Sequence, residues 1–405
     1  MELYQNSSSW RVCSLEETLA NIQPLAKHVG ITRVTDTTRL DKIGIPVYAS
    51  IRPNAAKGSL CVNAGKGLQP LEAKVGAFME AFEFSFSEFK EGRIKTYKST
   101  PRRIVSQKNV NFDFVDLCPI WNVEVEPDSS FMTVQAEDIA TGDVIEVPAE
   151  LAFSPFGNAC GQMLFGSSTN GLCSGNSIIE ATLHGICEVL ERDVQAFNYM
   201  KNKSRLVNEK DLPHNVSELI DKIKNAGFDC YLRYTDNLFG LPYFQGYIAE
   251  KNFVPIAISH GTGLHLSSSI AAVRALTEAA QSRLSYIHGG RDDLIDRHKF
   301  FLTKPPEYEQ KEIERMRESI SDQENLISFA EIPDYINVSK DIHSVISFIL
   351  NKLQRLNFNQ VLRVELTPKS SELKVVKVII PKIESFNPKL KRMGPRLAEH
   401  IENIN

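Results

Sequence analysis

Ser168-Thr-Asn-Gly-Leu-Cys-Ser-Gly-Asn-Ser-Ile-Ile-Glu-Ala-Thr-Leu-His-Gly-Ile-Cys-Glu-Val-Leu-Glu-Arg-Asp193 runs from a glycine-punctuated stretch into a helical pattern. At about 100° per residue, Glu180, His184, Glu188 and Glu191 fall within a wedge of about 80° on one helix face. The remaining positions (Ile178, Ile179, Leu183, Ile186, Val189, Leu190) are apolar, which predicts a largely buried helix. Carboxylates on such a helix repel one another and lose hydration, at several kcal/mol per uncompensated ion. Something positive must sit beside them: Arg192, Arg274, Arg283 or a divalent metal. His184 reads either as a hydrogen-bonded interior histidine or as a metal ligand, and Cys187 as a packing residue.

Two other stretches follow the same course. Gly65-Lys-Gly-Leu68 precedes Ala73-Lys-Val-Gly-Ala-Phe-Met-Glu80-Ala-Phe-Glu83, and Gly261-Thr-Gly-Leu264 precedes Ala271-Ala-Val-Arg-Ala-Leu-Thr-Glu278-Ala-Ala-Gln281. With Ala181, Glu188 and Glu191 they share one spacing: Ala, six residues, Glu, two residues, then Glu or Gln. The glycines read as turns that feed helices and offer backbone N–H groups at helix starts. In the third copy Arg274, Glu278 and Gln281 share a face. Three converging helices would gather up to six acidic residues and at least one inward arginine. That composition suits Mg²⁺, which takes oxygen ligands and brings substrate phosphates with it, with arginine facing the phosphates. A nucleoside triphosphate on carboxylate-bound magnesium is a coherent occupant. No G-x-x-x-x-G-K-[ST] is present, which excludes a P-loop enzyme.

Composition narrows the class without adding chemistry. The 405 residues carry 46 Lys+Arg against 50 Asp+Glu, a balance that gives no pull toward nucleic acid or membrane. No apolar run approaches the ~20 residues of a membrane span, and the polar start lacks a signal peptide's features. A cytoplasmic protein is expected. The seven cysteines never form C-x-x-C, arguing against structural zinc or a disulfide framework. Short strands are expected within 31–63 and 104–152. Further along, 216–226 reads as a helix, 229–234, 243–249 and 255–259 as strands, and 290–326 as a charged, solvated excursion. A helix at 343–356 and strands at 360–366 and 375–380 follow. Strands and helices mix without strict alternation, which predicts an α+β fold. The basic run from Lys374 through Lys377, Lys382, Lys389, Lys391 and Arg392 to Arg396 reads as a solvated edge, or as a contact for acidic peptide or phosphate.

The central stretch closely resembles the defining motif of the YcaO family, and the other two copies agree with it, the third followed by Arg291-Asp-Asp. Gly30-Ile-Thr-Arg-Val-Thr-Asp36 and Gly44-Ile-Pro-Val-Tyr48 are similar to the N-terminal part of stand-alone members. The resemblance implies an N-terminal segment over 1–63, a YcaO-like catalytic domain over 64–405 and a homodimer. It also implies an ATP-dependent enzyme that phosphorylates a peptide amide oxygen. A nucleophile then adds at the carbon and phosphate leaves, giving a thioamide with sulfide or an azoline with a Cys, Ser or Thr side chain. By the same resemblance Glu80, Glu83, Glu188 and Glu191 match the Mg²⁺-binding glutamates. Arg11, Thr18, Asn176, Glu180, Arg192, Arg274 and Glu278 match the nucleotide contacts, while Gln281 and Arg283 receive no role. Phe84 stands where the family often has Arg. The stretch from Arg392 holds one proline where many azoline-forming members carry P-x-P-x-P. This tilts the expectation toward thioamide formation with a TfuA-like or leader-binding partner delivering the peptide.

Two other classes compete. A redox protein would use Glu180, His184, Glu188 and Glu191 as metal ligands, although the Glu-x-x-His spacing of such sites is absent. A non-catalytic nucleotide-binding scaffold of a modification complex would bind ATP without turnover.

Overall fold

Alternating burial along Val62–Lys66, with Asn63 and Gly65 inward and Val62, Ala64 and Lys66 outward, makes this stretch a strand rather than a turn. The computed structural model describes residues 1–5, 8–157, 163–251, 257–290, 299–300 and 302–403. Its strands form three principal sheets. The first orders β3 (Arg33–Asp36), β4 (Val47–Ile51) and β5 (Val62–Lys66). The second orders β6 (Tyr97–Ser99), β7 (Phe131–Asp138), β15 (Leu362–Glu365), β16 (Lys374–Ile379) and β9 (Leu172–Gly175), with β8 (Val144–Pro148) on β7. The third orders β13 (Ile258–Leu264), β12 (Tyr243–Ala249), β11 (Asp229–Tyr234), β10 (Arg205–Val207) and β14 (Leu326–Ile327). Apart from the parallel β10–β14 pair, these strands pair antiparallel. A small β1–β2 ribbon (Tyr4–Gln5, Trp10–Arg11) stands apart.

The helices are α1 (Leu15–Ile22), α2 (Pro70–Ser87), the short α3 (Pro101–Val105) and α4 (Ala149–Ala152), α5 (Ile178–Met200), α6 (His214–Asn225), α7 (Ser268–His288), α8 (Pro306–Ser321), α9 (Ile342–Arg355) and α10 (Pro395–Glu402). The three motif helices are α2, α5 and α7. Each follows a strand at the end of its own sheet: β5, β9 and β13. Leu183, Ile186 and Leu190 of α5 are fully buried against Ile342, Val345 and Ile349 of α9 and Val376 of β16. Burial stabilises each large side chain by about 1.5–3 kcal/mol, enough to hold the helix while its other face carries charge.

The glycines correct the turn reading. Gly65 lies in β5, and Gly261 and Gly263 lie in β13. A Cβ on Gly65 would stand 2.1 Å from the Ala73 carbonyl oxygen, and one on Gly263 would stand 2.2 Å from that of Ala271. These glycines let strand and helix backbones touch. Only Gly171, at φ 76°, supplies the left-handed turn expected at Asn170-Gly. The strand expected at 255–259 begins at Ile258 and runs through the Gly-Thr-Gly segment. Residues 255–256 and Arg291-Asp-Asp lie outside the described residues. No helix among the described residues is long and apolar enough to cross a membrane.

Candidate nucleotide and metal site

Helix α5 starts on Ser177, whose hydroxyl accepts from the Glu180 N–H at 3.2 Å. The Ser-x-x-Glu pattern would complete a capping box, but the Glu180 carboxylate turns elsewhere. It accepts from Arg11 (3.2 Å), from the Val12 N–H (2.9 Å) and from Asn176 Nδ2 (3.3 Å). Arg11 is delivered by β2, and the next helix, α1, is closed by a Ser14–Glu17 capping box. Arg11, Thr18, Asn176, Glu180 and Arg274 line a cavity of about 90 Å³. It adjoins a cavity of about 420 Å³ through shared walls at Arg11, Lys66, Gly76, Met79 and Arg274. The larger cavity is lined by Glu80, Glu83, Glu188, Glu191, Arg192 and Glu278. Every nucleotide and metal position predicted from sequence therefore lies on one of two joined cavities.

Their carboxylates engage the ends of the three sheets. Glu80 accepts from the Ala64 N–H of β5 (2.9 Å). Glu83 accepts from Ser174 of β9 through its N–H (2.8 Å) and hydroxyl (2.7 Å). Glu191 accepts from the Thr262 hydroxyl (2.6 Å) and the Leu264 N–H (2.9 Å) of β13. Cys173 lies 3.4 Å from Glu188, and Lys66 donates to Glu278 at 2.6 Å.

Electrostatics divides these acids. Burial, then the neighbouring Glu80 and Glu188, raises the pKa of Glu83 to about 8 despite its Ser174 bonds. Glu188 is also raised by burial, against the pull of Arg192. Glu278 is held down at about 2 by Lys66, Arg192 and Arg274, which together outweigh its desolvation. Glu83 and Glu188 thus resist ionisation where no added cation is present. On the basic side, Arg274 Nε is buried without a hydrogen-bond partner. An unpaired buried donor is costly, and a phosphate oxygen is the acceptor it lacks.

This donor set fits ATP with Mg²⁺. Among the described residues no three His, Cys, Asp or Glu groups form a ready metal-ligand cluster. Magnesium characteristically takes one or two carboxylates and completes its shell with phosphate oxygens and water. Glu180, His184, Glu188 and Glu191 form no ready metal-ligand cluster among the described residues, so the four-ligand redox arrangement is not assembled.

Two readings need correction, and one residue was passed over. Arg283 is committed away from the site, donating to Asp41 (2.9 Å) and Glu250 (2.6 Å). Its charge serves the packing of α7, and it does not line the larger cavity. The basic C-terminal run is a solvated edge only in part: Lys389 and Lys391 are exposed, but Lys377 and Arg392 are buried. Lys377 donates to the Ser168 carbonyl, Arg392 to those of Leu117 and Cys118, and Arg396 to Asp193. Lys66 is the site residue sequence reasoning passed over. It stands inside the quoted Gly65-Lys-Gly-Leu segment, and strand alternation puts it on the same side as Ala64. A separate cavity of about 430 Å³ near the C-terminal part of α5 and α10 holds none of the predicted residues.

Two outcomes follow from these contacts. Glu180 is fully buried, so Arg11→Ala should cost about 2 kcal/mol of stability by stranding its charge. It should also weaken ATP binding about tenfold, as read by denaturant unfolding and ATP titration; an unchanged affinity would remove Arg11 from the site. The second concerns His265, buried edge-on against Trp10 and accepting at Nδ1 from the Ser267 N–H. Burial, Arg274 and Arg11 lower its pKa from 6.5 to about 3. The unfolded chain takes up this proton near pH 6.5 and the folded chain refuses it until about 3. The stability is therefore fully present above about 6.5 and lost as pH falls toward 3. His265→Asn should reduce the acid-side slope by up to about 1.4 kcal/mol per pH unit; unfolding curves at several pH values check this.

The fold and the site define a nucleotide- and magnesium-binding protein without a P-loop. The YcaO cyclodehydratase, ATP- and Mg²⁺-binding, profile matches residues 64–384, and the chain belongs to this family. A Methanothermobacter thermautotrophicus protein is 31% identical over 393 residues, covering 95% of this chain and 98% of its own. A Rhizobium leguminosarum bv. trifolii protein from the tfuA 3′ region is 33% identical over 304 residues, covering 71% and 70%. The structure of YcaO from Methanopyrus kandleri bound with AMPPCP and Mg²⁺ superposes with a TM-score of 0.76 at 21% identity, covering 97% and 98%.

Proposed function

We propose that this chain activates a peptide backbone amide with ATP and replaces the amide oxygen by sulfur. The convergence of Arg11, Lys66, Arg192 and Arg274 with five glutamates around one cavity carries the reading. Bound Mg²⁺·ATP supplies the phosphoryl group. Glu80, Glu83, Glu188 and Glu191 provide oxygen ligands for the metal. Arg11, Thr18, Asn176, Glu180, Arg192, Arg274 and Glu278 hold the nucleotide, joined by Lys66. Positioning and fixed positive charge are what phosphoryl transfer requires of a protein. An amide oxygen leaves poorly, but once phosphorylated it departs as phosphate while sulfide sulfur takes its place at carbon. Residues 64–405 form the catalytic domain in this reading. The 1–63 segment completes the site through Arg11 and Thr18.

The tfuA-region relative supports a TfuA-like partner and the thioamide outcome; a homodimer is the expected assembly. Azoline formation is the second reading, favoured by the family's cyclodehydratase description. The test is incubation with ATP, Mg²⁺, a sulfide source, the partner and candidate peptides, read by mass spectrometry. Exchange of one oxygen for sulfur supports thioamidation, and loss of one water supports azoline formation. ATP binding with no peptide change across all substrates and partners would favour the scaffold.

A further inference from the structure

The last of the three spaced motif positions, Glu83, Glu191 and Gln281, reaches the end strand of the next sheet, and the contacts close a ring. Glu83 of α2 bonds Ser174 of β9, and Glu191 of α5 bonds Thr262 and Leu264 of β13. Gln281 of α7 donates to the Ala64 carbonyl of β5. The residue type follows the partner. β9 and β13 present N–H and hydroxyl donors, met by carboxylates, whereas β5 presents a carbonyl oxygen, which needs a donor. An amide has one and a carboxylate does not.

Ala64 pairs with Ala49 across β4 and β5. Its N–H goes to Glu80 and its carbonyl accepts from Gln281, so both groups point out of the sheet end. Gln281, Ala64 and Glu80 thereby form one chain from the third motif helix to the first. We propose that Gln281 is a positioning residue that sets Glu80 for the metal through the Ala64 backbone. This rests on the nucleotide–magnesium reading above, in which Glu80 is a metal ligand.

The test compares Gln281→Glu, nearly isosteric but unable to donate, with Gln281→Met, which removes the donor without adding charge. The readout is the Mg²⁺ concentration that half-saturates ATP binding to the full chain. Thermal unfolding confirms that each variant is folded. Losing a group that orients a metal ligand typically costs about 10- to 100-fold in metal affinity. Gln281→Glu is expected to raise the Mg²⁺ requirement by about tenfold or more, and Gln281→Met by less, with Mg²⁺-free ATP binding unchanged in Gln281→Met and no stronger in Gln281→Glu, whose added charge repels phosphate. A Gln281→Glu requirement equal to or lower than that of the unaltered chain overturns the proposal, because volume alone or an added ligand would then explain the position. If Gln281→Glu does not fold, Gln281→Met decides, and an unchanged requirement there overturns it. An unaltered chain whose ATP binding ignores Mg²⁺ overturns the metal reading itself and the proposal with it.

Discussion

Replacing Glu188 and Glu191 together by glutamine should lower Mg²⁺-dependent ATP affinity about 100-fold or more, equivalent to about 2.7 kcal/mol. The glutamines keep the volume on α5. An amide oxygen at position 191 can still accept from Thr262 or Leu264, so the bonds that seat Glu191 survive in part. What disappears is two negative charges on one wall of the larger cavity. Burial already opposes ionisation of Glu188, and Glu278 still faces Arg192 and Arg274, so thermal unfolding run alongside confirms that the variant is folded. Mg²⁺-free ATP binding should hold steady or improve, because two charges that repel phosphate are gone. Calorimetric titration with and without Mg²⁺ separates these effects, and an unchanged Mg²⁺-dependent affinity would mean the metal sits elsewhere.

Gly65→Ala should be destabilising by about 3 kcal/mol, a large value for adding one methyl group. Its Cβ would lie 2.1 Å from both the Ala73 carbonyl oxygen and the Ala77 nitrogen, so only movement of β5 away from α2 makes room. That movement carries Ala64 and Lys66 with it, and with them the contacts to Glu80, Gln281 and Glu278. The loss should therefore appear both in urea unfolding and in weaker ATP binding. Unfolding within about 0.5 kcal/mol of the unaltered chain, the usual range for a surface change, would contradict the close strand–helix contact.

The helices were legible because their signal is local. The apolar stripe of 178–190 and the three-residue spacing of Glu188 and Glu191 need only the helical period. The α+β class followed from the irregular mix of elements. Less legible was anything that closes the site across sequence. Glu83 meets Ser174 91 residues away, and Lys66 meets Glu278 212 residues away; both depend on how three sheet ends are brought together. The glycines misled for a related reason. Glycine permits a turn and also permits close backbone approach, and the neighbouring residues do not say which use applies. Lys377 shows the same limit. Its basic neighbours suggest solvent, whereas β16 lies between β15 and β9 and is buried on both faces from Val375 to Val378, so Lys377 sits inside, where burial lowers its pKa to about 7 against the opposing pull of Glu188.

The most direct test of the central claim is titration of ATP into the purified full chain, with Mg²⁺ and again with the metal chelated. The cavity's composition predicts saturable binding that strengthens markedly with Mg²⁺. Absence of ATP binding under both conditions, with the protein folded, would contradict the assignment of Arg11, Lys66, Arg274 and the motif glutamates to a nucleotide site.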